Sequence, residues 1–97
     1  MKKVSKKQSI LNIAVAKIKA SKADRCMICG RPYTDAAHLL PRSLYPEYYT
    51  EEWNIVPLCR EHHTRYDNNR AFRRTCTELY EIVKAHDEQA ANRYFDI

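Results

Sequence analysis

Two short stretches decide the reading of this chain: Cys26-Met27-Ile28-Cys29-Gly30 and Cys59-Arg60-Glu61-His62-His63. The first is a Cys-x-x-Cys pair; the second is a Cys-x-x-His pair with another histidine directly after it. Thiolates and imidazoles are the donors zinc takes, and two pairs at this spacing each clamp one side of a tetrahedron. Cys26, Cys29, Cys59 and His62 are therefore expected to hold one structural Zn2+ per chain. His63 cannot easily join the same tetrahedron as its neighbour, which frees it for another task. The converse assignment, with His63 on the zinc and His62 exposed, uses the same residue types and stays open. Gly30 is the only glycine in the chain, and it falls where the backbone must turn after the second thiolate.

A chain of 97 residues has room for one small core, which a structural metal commonly reinforces. One domain over 1–97 is expected: a basic arm over 1–8, a helix over 9–22, a zinc-bound core over 26–67 and helices over 70–95. Mean hydropathy is −0.68, and the most apolar stretch, Ile10 to Ile18, is interrupted by Asn12 and Lys17. A membrane span is not expected. Lysines near the start are not followed by an apolar segment and a cleavage site, so no secretory signal is expected either. The cysteines then fit a reducing, cytoplasmic setting, where Cys-x-x-Cys marks a metal more often than a disulfide. Seventeen Lys and Arg against twelve Asp and Glu give a net charge of +5. Such a surface favours a polyanionic partner, nucleic acid above all.

Around the cysteine pairs the elements follow from local pattern. Ser9 is placed to cap a helix whose apolar stripe is Ile10, Leu11, Ala14, Val15 and Ile18, a face expected to pack on the domain. Thr34–Leu40 reads as a strand stopped by Pro41, and Asn54–Leu58 as a second. Leu44–Glu52 between them is a loop crowded with Tyr45, Tyr48 and Tyr49, with Trp53 just beyond; these rings are expected to cluster, with base stacking as the other use. A helix from Cys59 to about Asp67 ends at Asn68-Asn69. Phe72, Cys76, Leu79, Tyr80 and Val83 are then spaced for one helix over about Arg70–His86, with Cys76 as a small buried apolar group. A last helix covers Glu88–Tyr94. The order strand, loop, strand, helix makes a compact ββα unit of the α+β class.

In this order the residues Cys26-x-x-Cys29-Gly30, Asp35-Ala36-Ala37-His38-Leu39-Leu40-Pro41-Arg42, and Asn54-Ile55-Val56-Pro57-Leu58-Cys59-x-x-His62-His63 resemble the HNH endonucleases of the His-Me finger (ββα-metal) superfamily. The resemblance spans 26–67. It implies a zinc-stapled ββα-metal core flanked by an N-terminal helix and one or two C-terminal helices. It also implies metal-dependent hydrolysis of DNA phosphodiester bonds, leaving 5′-phosphate and 3′-hydroxyl ends. His38, Asn54 and His63 occupy the catalytic positions: His38 as the general base that takes a proton from water, Asn54 as the tie that fixes the inter-strand loop, and His63 as a ligand of the catalytic Mg2+ or another divalent ion.

One departure matters. Many members carry an aspartate directly before the base, as a second metal ligand, and here that position is Ala37. Asp67, one helical turn after His63, is the first candidate replacement. A single protein ligand with waters and phosphate oxygens comes second, and Asp35, sharing Ala37's face of the strand but further along it, third. Arg42, Arg60, Arg65, Arg70, Arg73 and Arg74 are the candidates to hold phosphates. The partner is nucleic acid, with DNA placed ahead of RNA, and the protein is expected to be a monomer or homodimer. The resemblance further implies a bacterial or phage-infected host cell and phage or mobile-element DNA processing. Two rivals remain: a catalytically inactive zinc-binding nucleic-acid module, and a zinc-stapled adaptor for protein partners.

Overall fold

The computed structural model describes residues 6–97. Of the basic arm expected over 1–8, residues 1–5 lie outside the described residues and 6–8 begin the first helix, α1 (Lys6–Ala20). Ser9 is therefore inside the helix, not at its cap, because lysine and glutamine propagate a helix readily. The helix stops where Ser21 turns its hydroxyl onto the Ile18 carbonyl at 2.6 Å. Val15 is buried, and Leu11, Ala14 and Ile18 are half-buried against the domain. Ile10 departs from the expected stripe and faces solvent, as does Ile13.

Strand β1 (Thr34–His38) pairs antiparallel with β2 (Ile55–Cys59), in the register Asp35 opposite Leu58 and His38 opposite Ile55. The expected extension of β1 to Leu40 is absent. Beyond His38 the Leu39 amide still finds the Asn54 carbonyl at 2.9 Å, but the Leu40 amide is taken by the Asn54 side chain at 2.8 Å. A side-chain partner replaces the ladder, so the chain can turn toward Pro41 with its amide satisfied. Every residue of β2 is buried, because α1 and the next helix, α2 (Arg60–Asn68), both pack on the hairpin.

The inter-strand loop contains two short 3-10 turns, Pro46–Tyr48 and Glu52–Asn54. Its rings pack as a cluster: Tyr48 meets Trp53 at 5.0 Å, and Trp53 stacks on His86 at 4.6 Å. Tyr48 also donates to Asp87 at 2.6 Å.

After α2, Asn69 both ends one helix and begins another, accepting from the Phe72 amide at 2.9 Å. The expected single helix over 70–86 is in fact two, α3 (Arg70–Thr75) and α4 (Thr77–Lys84). Cys76 separates them at ψ 66°. The Thr75 hydroxyl donates to the Phe72 carbonyl at 2.6 Å, and two β-branched threonines flanking the break weaken helix continuation. The chain closes with α5 (Glu88–Tyr94), capped by Asp87, which accepts from the Ala90 amide at 3.0 Å. Leu39, Leu40, Leu58, Tyr66, Val83 and Phe95 form the centre of the core, with no accessible surface. Each such side chain contributes about 1.5–3 kcal/mol through removal from water.

Arg73 is a correction to the set of phosphate-binding candidates. Its side chain enters the interior, where Nε, Nη1 and Nη2 donate to the carbonyls of Tyr66, Tyr94 and Asp67 at 2.9, 3.0 and 3.0 Å. The guanidinium ties the end of α2 to the end of α5, with each of its three nitrogens donating to a carbonyl there.

Candidate active site and metal centre

The two cysteine pairs converge. The Cys26–Gly30 turn closes through the Gly30 amide on the Cys26 carbonyl at 2.8 Å, with Gly30 at φ +77°, a backbone region that favours glycine. The Cys26 amide bonds the Arg31 carbonyl and the Met27 amide bonds the Pro57 carbonyl of β2, so the turn is laced to the hairpin. Cys59 ends β2, and His62 follows on the first turn of α2. One ligand atom from each of Cys26, Cys29, Cys59 and His62 lies within 4.8 Å of all the others. Cys29 and Cys59 sulfurs are 3.8 Å apart, and His62 Nδ1 is 3.3 Å from Cys59 Sγ and 3.7 Å from Cys26 Sγ. Two sulfurs each about 2.3 Å from one zinc ion stand about 3.8 Å apart in a tetrahedron. The spacing fits, and the four residues could hold a zinc ion. His62 is the histidine that belongs to this set, and its ring stacks on Phe72 at 5.9 Å.

The thiols are tuned accordingly. Burial raises the Cys26 pKa, but hydrogen bonds from the Cys59, Cys29 and Ile28 backbone and from His62 outweigh it and bring the group down to about 6. Cys29 shifts the other way: its hydrogen bond with the Arg31 backbone lowers it, but desolvation and the neighbouring Cys26 and Cys59 sulfurs outweigh that and raise it. A crowded set of sulfurs with one already prone to ionise is a site that a cation relieves.

His63 points away from this cluster. Asp35 Oδ2 lies 3.1 Å from its Nδ1, and Asp67 Oδ2 lies 3.2 Å from its Nε2. The two carboxylates bracket opposite edges of one imidazole. Asp67 first, then Asp35, raise the His63 pKa. Asp35 is held in turn by Arg60, whose Nε is 2.8 Å and Nη2 3.2 Å from its oxygens. His63 and Arg60 hold the Asp35 carboxyl below its ordinary range.

His38 ends β1. Its Nε2 is 2.9 Å from the Tyr49 carbonyl oxygen, and its ring stacks on the Tyr49 ring at 4.7 Å. A carbonyl only accepts, so Nε2 carries the hydrogen and Nδ1 keeps a free lone pair. Burial is the largest influence on its pKa and lowers it, and the positive charge of His63 adds to the effect. Tyr49 is itself fixed by its hydroxyl, which donates to Asn12 of α1 at 2.9 Å.

Asn54 is fully buried. Its carboxamide NH2 donates to the Leu40 and Tyr48 carbonyls at 3.2 and 3.0 Å while its oxygen accepts from the Leu40 amide. These bonds join the end of β1 to the residue before Tyr49, and so set where the His38 partner sits.

His38, His63 and Asp67 line one open cleft of about 510 Å³, with Arg42, Leu44 and Tyr94 around it. Asp35 lies outside that lining; it meets His63 from the far edge of the ring. Ala37 is fully buried and offers no donor. Among the arginines, Arg42 is exposed at the cleft and lies over the Tyr49 ring at 5.0 Å. Arg60 has two of its N–H groups on Asp35, and Arg65 leans over Phe72 at 5.1 Å on the zinc side of α2. Arg70 and Arg74 are exposed on α3.

Sequence reasoning missed Tyr49 as the partner of His38 and Asp35 as the partner of His63. The first had no signal beyond a ring in a crowded loop. The second could have been found from strand register, since Asp35 opposite Leu58 stands beside the start of α2.

Comparison with protein-family models matches residues 26–71 to the HNH endonuclease family. The matched segment begins at Cys26, the first residue of the converging cluster, and ends in α3, so it contains the Cys26–Cys29 and Cys59–His62 pairs, the hairpin and α2. No curated protein and no solved structure matches the chain.

Proposed function

Because residues 26–71 belong to the HNH endonuclease family, we propose that this protein is a metal-dependent endonuclease that hydrolyses phosphodiester bonds of DNA. The observation that supports this most is the shared cleft: a neutral, oriented imidazole and a histidine–carboxylate pair line one open depression. His63 Nε2 and Asp67 would hold a divalent ion there, and that ion when bound polarises the scissile phosphate and stabilises the departing oxygen. An imidazole nitrogen with a carboxylate oxygen is a donor set that suits Mn2+, Ni2+ or Zn2+ readily and Mg2+ through its oxygen ligand. Asp35, accepting from Nδ1–H, fixes the tautomer that presents Nε2 to the cleft. Asp35 thus takes a positioning role, which supports Asp67 over Asp35 as the second ligand.

His38 takes the proton from the attacking water at Nδ1. Its depressed pKa keeps that lone pair free at neutral pH, and the Tyr49 carbonyl receives Nε2–H so that the positive charge formed on the ring is shared. Arg42 is placed to hold a phosphate oxygen at the rim. Asn54 is a positioning residue that sets the loop carrying Tyr49. Cys26, Cys29, Cys59 and His62 hold the structural zinc that binds the hairpin to α2.

Supercoiled plasmid incubated with the protein and Mg2+, Mn2+ or Ni2+ tests this reading. Wild type should nick it, and His38→Ala should slow nicking by about 10²–10⁴-fold. Equal rates for the two proteins would refute the nuclease assignment. The absence of a donor at Ala37 favours the rival reading, an inactive nucleic-acid-binding module. That rival gains if wild type retards the plasmid yet leaves it intact with all three ions.

A further inference from the structure

A second cavity adjoins the cleft. It measures about 460 Å³ and is lined by Arg70, Arg73, Arg93, Tyr45 and Tyr94, with Asp96 at its edge. The two depressions share Leu44, Arg73 and Tyr94, so they are neighbours across one wall. Three guanidinium groups face one carboxylate. Arg70 lies 3.9 Å from Asp96, with both side chains more than half exposed, a contact that restrains neither strongly. Arg93 has no ion-pair partner among the described residues, and it stands on α5, beyond the segment that matches the nuclease family. Arg73 is anchored by three carbonyls and contributes a fixed positive charge in the wall between the cavities.

We propose that this cavity is a second phosphate subsite, built on the C-terminal helices, that takes a backbone phosphate of the nucleic-acid strand adjacent to the one at His38 and His63. Arg93 and Arg70 grip the phosphate oxygens in forks. Tyr45 gives the sugar and base a ring surface, the combination used where a strand is tracked without sequence readout, while the Tyr94 ring is covered on one face by the Arg73 guanidinium at 4.0 Å. The occupant is a nucleic-acid strand rather than a free anion, because the cavity opens beside the cleft that handles the phosphodiester. The inference rests on the nuclease reading for that cleft and adds to it a path: the strand leaves the reacting bond over Leu44 and Tyr94 toward α5.

The test uses the full chain carrying His38→Ala, so that substrate is bound and not cut. Binding of fluorescein-labelled single-stranded and duplex DNA of about 20 nucleotides is followed by anisotropy between about 50 and 200 mM NaCl. Arg93→Gln should weaken binding about three- to tenfold at the lowest salt. It should also flatten the slope of log K against log salt by about 0.7 for single strands or about 0.9 for duplex, the loss of one phosphate contact. Lys17→Gln, an equal charge change on the exposed side of α1, should move the slope by less than half as much. Arg93 is exposed and unpaired, so zinc content and circular dichroism should match the parent. An unchanged slope in Arg93→Gln with parental binding intact would overturn the subsite alone, and so would equal effects of Lys17→Gln. A parent that binds neither DNA at the lowest salt would overturn the nucleic-acid reading and the subsite with it.

Discussion

Of the two nitrogens of His38 one is hydrogen-bonded and the other is not, and that difference bears on its chemistry. Nε2–H is held by the Tyr49 carbonyl, Nδ1 keeps the lone pair that the proposed base would use, and burial lowers the pKa of the ring. Protonated His38 has no lone pair to offer, so activity should be present above its pKa and lost as pH falls through it. With that pKa lowered, the acid limb of kcat/KM should lie below the ordinary imidazole value near 6.5. Tyr49→Ala removes the stacked ring that shields the imidazole while keeping the backbone carbonyl. Its acid limb should move upward toward that ordinary value, and an unmoved limb would mean that other groups bury His38. Asp35 makes a parallel case. Asp35→Asn offers Nδ1 an amide in place of a carboxylate, and Mn2+ affinity should fall about 10–100-fold by titration. At this scale the convergence of Cys26, Cys29, Cys59 and His62 was legible, because donor type and spacing are local properties of the chain. The bracketing of His63 was only half legible. Asp67 follows from helical spacing, whereas Asp35 reaches His63 through strand pairing that no local pattern shows.

Among the elements, the hairpin end carries the site. Asn54 closes it with three hydrogen bonds from a fully buried side chain, joining Leu40 and Tyr48. Asn54→Ala would leave those backbone groups without partners, at about 1–3 kcal/mol for each buried group. Urea unfolding should show a loss of at least about 2 kcal/mol, and cleavage should fall because Tyr49 loses its placement. A stability equal to wild type would show that water replaces the side chain. The hairpin and α2 were readable from the flanking cysteine pairs to within a residue or two. The one-helix reading of 70–86 failed because the apolar spacing of Phe72, Cys76 and Val83 continues across the break, where Cys76 leaves helical geometry at ψ 66°. Spacing named the inward side of α4, which buries Leu79 and Val83, but α3 buries Arg73 and leaves Phe72 half-buried against His62. Arg73 was misread for a similar reason: a basic residue on a basic helix face gives no hint that carbonyls from α2 and α5 await it.

For the whole molecule, a two-stranded sheet is too small to hold its own shape, and several helices must be gathered on it. The Cys26–Cys29 turn is laced to β2 by the Met27–Pro57 hydrogen bond, a zinc ion on the four converging residues would tie it to α2, and Leu39, Leu58 and Phe95 join the rest of the chain to that unit in one core. One zinc per chain is expected by elemental analysis. Cys29→Ser, or treatment with a strong chelator, should abolish cooperative unfolding, since a metal of this kind supplies folding free energy. A metal-free protein that keeps a sharp thermal transition would show that the apolar core suffices. Among the described residues no helix is long and apolar enough to cross a membrane, and the basic charge of the chain agrees with a polyanionic partner. His63 is the point on which residue, element and molecule meet, because the same turn of α2 that brings His62 to the cysteine cluster places His63 in the lining of the cleft. Crystals soaked in Mn2+ and measured for anomalous scattering report on it directly. A manganese peak between His63 Nε2 and the Asp67 carboxylate, on the His38 side of the ring, is expected. A cleft without manganese, or a peak only at the Cys26–His62 cluster, would contradict a catalytic metal held by His63.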